Sequence, residues 1–155
     1  MTTPAISVLA AALLTAAQGS LSDPPVASYV SHNAPAWDIC RDDQLTVHLA
    51  NLAFRQSKGP RQSQSVPAAT LVVQLVRCVP GQGNGGQAPS TARLYDSATS
   101  LMDDLDAIQQ AVRADAEAIF GGAQSVTWGQ AVPLGPNGQV GGYSWPIVVE
   151  LSGQV

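Results

Sequence analysis

The sequence is poor in charge. Asp, Glu, Lys and Arg together make up 12% of its 155 residues, about half the usual share. A monomer so sparsely charged would have a thinly dressed surface. That favours a subunit whose faces are buried against copies of itself or against other partners. A composition rich in Ala, Gly and Gln accounts for the same figure. Seven Lys and Arg stand against eleven Asp and Glu, a net charge of −4. This balance argues against a free monomer that grips nucleic-acid phosphates.

Other absences narrow the field. Met1-Thr2-Thr3-Pro4 carries no Lys or Arg, so the positive start of a signal peptide is missing. The apolar run Ala5 to Ala17 is too short to span a bilayer. The expectation is a cytoplasmic product without a membrane anchor, with secretion as the lesser reading. There are only two cysteines and two histidines. His32, Cys40, His48 and Cys78 lack any close pair at metal-ligand spacing, so no zinc site is expected. A hydrolase built on Cys40 with His48 lacks a surrounding motif, and His48 reads as the solvent side of a strand. No Gly-x-Ser-x-Gly occurs. Gly81-Gln82-Gly83-Asn84-Gly85-Gly86 is a turn region, with no Lys-Ser/Thr after it and no strand–helix setting for a phosphate loop. The expectation is therefore no enzyme and no cofactor.

What is present is a strongly β-prone centre. Pro67-Ala68-Ala69-Thr70-Leu71-Val72-Val73-Gln74-Leu75-Val76-Arg77-Cys78-Val79-Pro80 is rich in β-branched residues and closed by proline at both ends. Leu71, Val73 and Leu75 point one way, and Val72, Val76 and Cys78 the other. A strand apolar on both faces is a central one. Before it, Gln44-Leu45-Thr46-Val47-His48-Leu49 alternates, with Leu45, Val47 and Leu49 inward and Gln44, Thr46 and His48 outward. The phase slips past Ala50-Asn51, where Leu52 and Phe54 take over the apolar side, which predicts a bulge. Arg55 to Ser65 joins the two strands as the loop of a long hairpin. Three of the seven cations, Arg55, Lys58 and Arg61, fall within it. It reads as a solvated tip or as a contact arm for a neighbouring subunit or for DNA in a ring. Antiparallel pairing of the two strands brings Cys40 near Cys78. A disulfide and two buried thiols are both open there.

Two helices complete the pattern. Thr3 is a candidate N-cap with Pro4 in the first turn, and Ile6, Leu9, Leu13 and Ala17 form one stripe before Gly19. Ser90 or Thr91 opens a longer helix to about Ile119, with Leu94, Ala98, Leu101, Leu105, Ile108 and Val112 at spacings of four and three. Asp103, Asp104 and Asp106 lie mostly off that stripe and read as a solvated face. Gly121-Gly122 ends it. Val26 to Val30 is a short strand. A tail hairpin runs from Gln124–Trp128 through a turn at Pro133–Gly138, with Asn137-Gly138 at its tip, to Tyr143–Leu151. Pro146 has no N–H for a ladder, so the edge is open or bulged beside it. Trp37, Trp128 and Trp145 read as core or interface anchors. The expected fold is one α+β domain over residues 1–155, a mainly antiparallel sheet with a long hairpin. An N-terminal helix (1–20) and one long central helix pack on it, and 55–65 is the hairpin loop.

Certain blocks carry a resemblance. They are Ala34-Pro35-Ala36-Trp37-Asp38-Ile39-Cys40, Gln44-Leu45-Thr46-Val47 and Arg77-Cys78-Val79-Pro80. Pro133-Leu134-Gly135-Pro136, Gly141-Gly142-Tyr143-Ser144-Trp145 and Val148-Val149-Glu150-Leu151 complete the set. Together they resemble small neck proteins of long-tailed phages infecting actinomycetes, and the element order looks like that of phage tail terminators. Pro146 departs from the β-branched or hydroxyl residue such a strand would carry. The resemblance implies a structural virion protein of the head–tail junction. It would be a homo-oligomer, a six-fold ring, with the tail tube protein on one side and a head connector or stopper on the other, and genomic DNA passing near its lumen. Another neck ring, stopper or adaptor, is the alternative. Contact residues are expected at Arg55, Lys58 and Arg61 in the hairpin arm and at Gly135, Asn137 and Gly138 in the tail turn.

Overall fold

A computed structural model describes residues 5–35, 40, 43–56, 65–81, 87–137 and 139–151. The elements run α1 (Ile6–Ser20), β1 (Ala27–Ser31), β2 (Gln44–Gln56), β3 (Ser65–Cys78), α2 (Thr91–Ala114), α3 (Ala116–Phe120), β4 (Ala123–Trp128), β5 (Val132–Asn137) and β6 (Val140–Leu151). This is the α+β arrangement of an N-terminal helix, a long central helix and a mainly antiparallel sheet. The six strands form one sheet in the order β1-β2-β3-β6-β4, with β5 also on β6.

β3 is central, hydrogen-bonded to β2 on one side and to β6 on the other. Its β-branched run keeps an unbroken register with β6 from Ala68↔Glu150 to Cys78↔Val140. The register with β2 shifts between Leu49 and Asn51. The extra residue is Ala50, at the place where the hydrophobic phase of the sequence slips. β1 is the departure from an all-antiparallel sheet: it pairs parallel with β2, Ala27↔Gln44 to Ser31↔His48. A parallel neighbour needs a crossover rather than a tight turn, and residues 32–43 separate the two strands in the sequence.

Pro133–Asn137 is strand rather than turn. β4 and β5 are two halves of one edge strand along β6, with Trp128↔Ile147 at the end of one and Val132↔Ser144 at the start of the other. The break falls opposite Pro146. The Pro146 carbonyl accepts from Gly129 N–H at 2.9 Å, so the missing proline N–H faces that same broken edge and costs no ladder bond with β3.

All three helices pack on one face of the sheet. Leu9, Leu13 and Ala17 of α1, Leu101, Ile108 and Val112 of α2, and Ile119 and Phe120 of α3 meet Leu45, Val47, Leu71, Val73, Leu75, Trp145, Ile147, Val149 and Leu151. These sheet residues are alternate positions on their strands, as a period of two requires. Trp145 stacks on Trp128, with ring centroids 5.7 Å apart, and Phe120 meets Trp128 edge-on at 6.0 Å. The Trp145 Nε1–H donates to the Gly129 carbonyl at 3.0 Å, which satisfies the indole in the core. Trp37 lies outside the described residues.

The helix termini differ from the sequence reading in detail. Gly19 lies within α1, whose last residue is Ser20, and the capping residue is Ala5. Thr3 and Pro4 lie outside the described residues. Ser90 caps α2 by accepting from Arg93 N–H at 3.3 Å. The long helix is broken at Asp115 into α2 and α3.

Candidate functional site

Four places on the fold could do more than hold it together. Three are distributed along the β2–β3 hairpin, and the fourth lies beside the end of β3.

At the base of the hairpin, Cys40 and Cys78 form a disulfide with Cα atoms 5.3 Å apart. Both residues are exposed, so the alternative of two buried thiols does not describe them. Next to the bridge, Arg77 leaves the hydrophobic run of β3 and gathers three partners. Its Nε–H donates to Asp104 of α2 at 2.7 Å, one terminal nitrogen to Asp43 at 2.9 Å, and the other to the carbonyl of Asp23 at 2.8 Å. Asp43 also accepts from the Cys78 backbone N–H at 2.9 Å. Burial alone would lower the pKa of the guanidinium, but the two carboxylates outweigh it and raise it. One arginine thus ties the end of β3 to α2, to the entry of β2 and to the linker after α1. Asp104 is therefore not part of a solvated face. The signal for this cluster was visible as a single charge inside the greasiest strand, with nothing to say which carboxylates would meet it.

Along the middle of the hairpin, the sheet face away from the helices is buried as well. Thr46, His48 and Gln74 lie on it, and His48 is 5% exposed. Thr46 pairs across to Gln74 and Gln74 to Ser144, so polar side chains form a row over three strands. Thr46 Oγ1, His48 Nδ1 and Gln74 Nε2 have no hydrogen-bond partner. Burial pushes the His48 pKa below its ordinary value, because an imidazolium there would lose its hydration. The sequence reading placed Thr46 and His48 in solvent. Alternation fixes which residues share a face but not whether that face is wet. Leu49 is the reverse case, read as inward and in fact exposed, because the helices do not extend over it.

At the distal end, Leu52 and Phe54 pair opposite Ala69 and Pro67, on the helix side of the sheet, yet are 45% and 69% exposed. β1 pairs with β2 only as far as His48. Among the described residues nothing pairs with the outer edge of β2 beyond that point. Arg55 pairs with Val66 in the backbone. Its side chain, with Lys58 and Arg61, lies outside the described residues.

The fourth place is an apolar groove of about 190 Å³ between the first half of α2 and the tail hairpin. Leu94, Leu101, Pro133, Pro136 and Tyr143 line it, together with Gly135. Gly135 has φ 71°, a conformation that favours glycine, and its bond to Pro136 is cis. Gly142 closes the floor: a side chain there would collide with the Leu75 carbonyl oxygen, so only glycine lets β6 lie this close to β3. Asn137 pairs with Val140 at the hairpin end. Gly138 lies outside the described residues.

Cys40 is bonded to Cys78, so it is not a free thiol for His48 to activate. Among the described residues no three His, Cys, Asp or Glu side chains are grouped to hold a metal, and no helix is long and apolar enough to cross a membrane. No protein-family model matches the chain, and no curated protein matches it. The functional reading therefore stands on these surfaces and on the residue blocks quoted above.

Proposed function

We propose that this protein is a structural component of a phage head–tail junction, a tail terminator. It would act as a homo-oligomeric ring that caps the tail tube and joins it to the head connector. The observation that carries the reading is the distal half of the β2–β3 hairpin. Among the described residues nothing pairs with its outer strand edge, and Leu49, Leu52 and Phe54 are exposed beside it. An open strand edge with apolar side chains suits burial against a neighbouring subunit. A charge content of 12% fits a subunit that hides much of its surface. The architecture also weighs among the neck proteins. A closed barrel would favour a stopper and an all-helical subunit an adaptor, whereas this chain places helices on one face of an open sheet.

The test is mass measurement of the purified protein, alone and mixed with tail tubes. A ring-sized species, or stoichiometric addition to tube ends, is the expected result. A monomer that never joins tubes would sink the reading. Deleting Ser57–Gln64 is expected to block head–tail joining while the circular dichroism spectrum stays native. Normal virion yield from that deletion would remove the hairpin arm from the contact.

A further inference from the structure

The apolar groove and the exposed aromatic of the hairpin sit at opposite ends of one strand. Phe54 pairs with Pro67 at the start of β3. The groove is lined by Val79 and Pro80, just past its end. Twelve residues of extended chain separate Pro67 from Val79, which at about 3.3 Å each is roughly 40 Å. The two features cannot meet within one molecule.

Charge is divided the same way. Residues 91–120, which include α2 and α3, hold six carboxylates and two arginines. One of the six, Asp104, is taken up by Arg77, whereas Asp96, Asp103 and Asp106 are exposed. The sequence Arg55–Arg61, directly after Phe54, holds three cations and no anion. The groove side of α2 is apolar and open as well: Leu94 is 47% exposed, and Tyr95 and Met102 stand in solvent beside it.

From these complementarities we infer that the groove between α2 and the tail hairpin receives Phe54 of a second copy of this chain, the cations that follow Phe54 in the sequence being opposite in charge to the exposed carboxylates of α2. The inference deepens the ring reading and rests on it for the partner being the same protein. The contact joins two different surfaces, so it is heterologous: it propagates head to tail and closes into a ring if the rotation between copies allows. Apolar insertion supplies the affinity, and the opposite charges set orientation and on-rate.

Two single variants test it by sedimentation velocity, Phe54→Ser and Leu94→Glu. Both change exposed side chains, and thermal melting with circular dichroism checks that each folds. Each variant alone is expected to weaken self-association at least about tenfold, the scale of losing an apolar anchor. Self-association of the wild type is expected to weaken as salt is raised. Mixed together, the two variants are expected to form a one-to-one dimer, because one intact groove and one intact Phe54 remain between them. Wild type that assembles while both variants assemble equally well would overturn this contact and leave the ring reading standing. Assembly lost in each variant but not regained as a dimer on mixing would overturn the head-to-tail geometry. Wild type that stays monomeric at every concentration overturns a second copy as the occupant. Addition of that monomer to tail tubes then judges the ring reading separately.

Discussion

At the base of the β2–β3 hairpin, Arg77 binds Asp43 and Asp104, and Cys78 is bridged to Cys40. At the other end of the same two strands, Leu52 and Phe54 stand exposed, and among the described residues no helix covers them. The backbone ladder is continuous between these ends apart from the bulge at Ala50. The difference lies in what the side chains meet. Polar and covalent ties at the base act within the chain, whereas Leu52 and Phe54 at the distal end are exposed, and the contact proposed above would fall there. On that proposal, stability and contact belong to opposite ends of one element. Substitutions at the base should cost folding free energy, and substitutions at the tip should cost association.

The largest effect belongs to the disulfide. It joins residues 38 apart in sequence, and in the chain-entropy account a loop of that size contributes about 4 kcal/mol. Cys40→Ser or Cys78→Ser, measured by urea unfolding without reductant, should lose most of that while the sheet remains native. A loss of less than about 1 kcal/mol would show that the Asp43 contacts and the β2–β3 ladder hold the base unaided.

Next comes Arg77→Met, which leaves Asp43 and Asp104 facing each other without their cation. Breaking a buried pair costs about 3–5 kcal/mol. Asp43 is a third exposed, so solvent screening reduces the expected loss to about 2–3 kcal/mol. The check is the denaturant midpoint of Arg77→Met alone and combined with Asp104→Asn. The double variant should recover part of the loss, and additive losses would mean that the two groups do not interact.

The third effect depends on pH and concerns the middle of the hairpin. The His48 pKa is lowered in the folded protein by burial, while in the unfolded chain it stays near its ordinary value of about 6.5. Below that value the unfolded state binds more protons than the folded state. Stability should therefore be complete above about pH 7 and fall as pH drops through 6.5 toward 5. Above pH 5 carboxylates contribute little to this slope, because they titrate lower. The measurement is the urea midpoint at pH 7.5 and 5.5 for wild type and His48→Gln. A slope that survives in His48→Gln would assign the effect elsewhere.

The smallest stability effect should be at the tip. Phe54→Ser removes a side chain that is 69% exposed, and such surface changes stay within about 0.5 kcal/mol. A loss above about 2 kcal/mol would place Phe54 in the monomer core and erase the contrast between the two ends.

Much of this could be read from the residues in order. The central position of β3, the bulge at Ala50, the stripes of α1 and α2, and the broken edge beside Pro146 all follow from local rules. Side-chain periodicity, the twofold alternation of a strand and the missing proline N–H act over a few residues, so a few residues report them. The nearness of Cys40 to Cys78 followed from hairpin pairing alone.

The candidate surfaces were less legible. Gly135 and Asn137 were expected in a flexible turn, but the chain there is a strand, and Gly135 lines a groove with Leu94 and Tyr143. Thr46 and His48 had the alternation of solvent-facing residues and are buried. Leu49 and Phe54 had that of core residues and are exposed. The arginine that ties four segments together appeared as one charge in an apolar run.

The sequence by itself determined which residues share a face, where β3 and the bulge of β2 fall, and how charge is divided between residues 55–61 and the long helix. Only the tertiary structure decided which faces are covered, which carboxylates meet Arg77, that β1 runs parallel to β2, and that groove and Phe54 lie at opposite ends of β3. The physical reason is range. Periodicity and capping act within a turn or a strand. Burial, ion pairing and strand order depend on segments tens of residues apart, whose meeting is set by how the helices pack across the sheet.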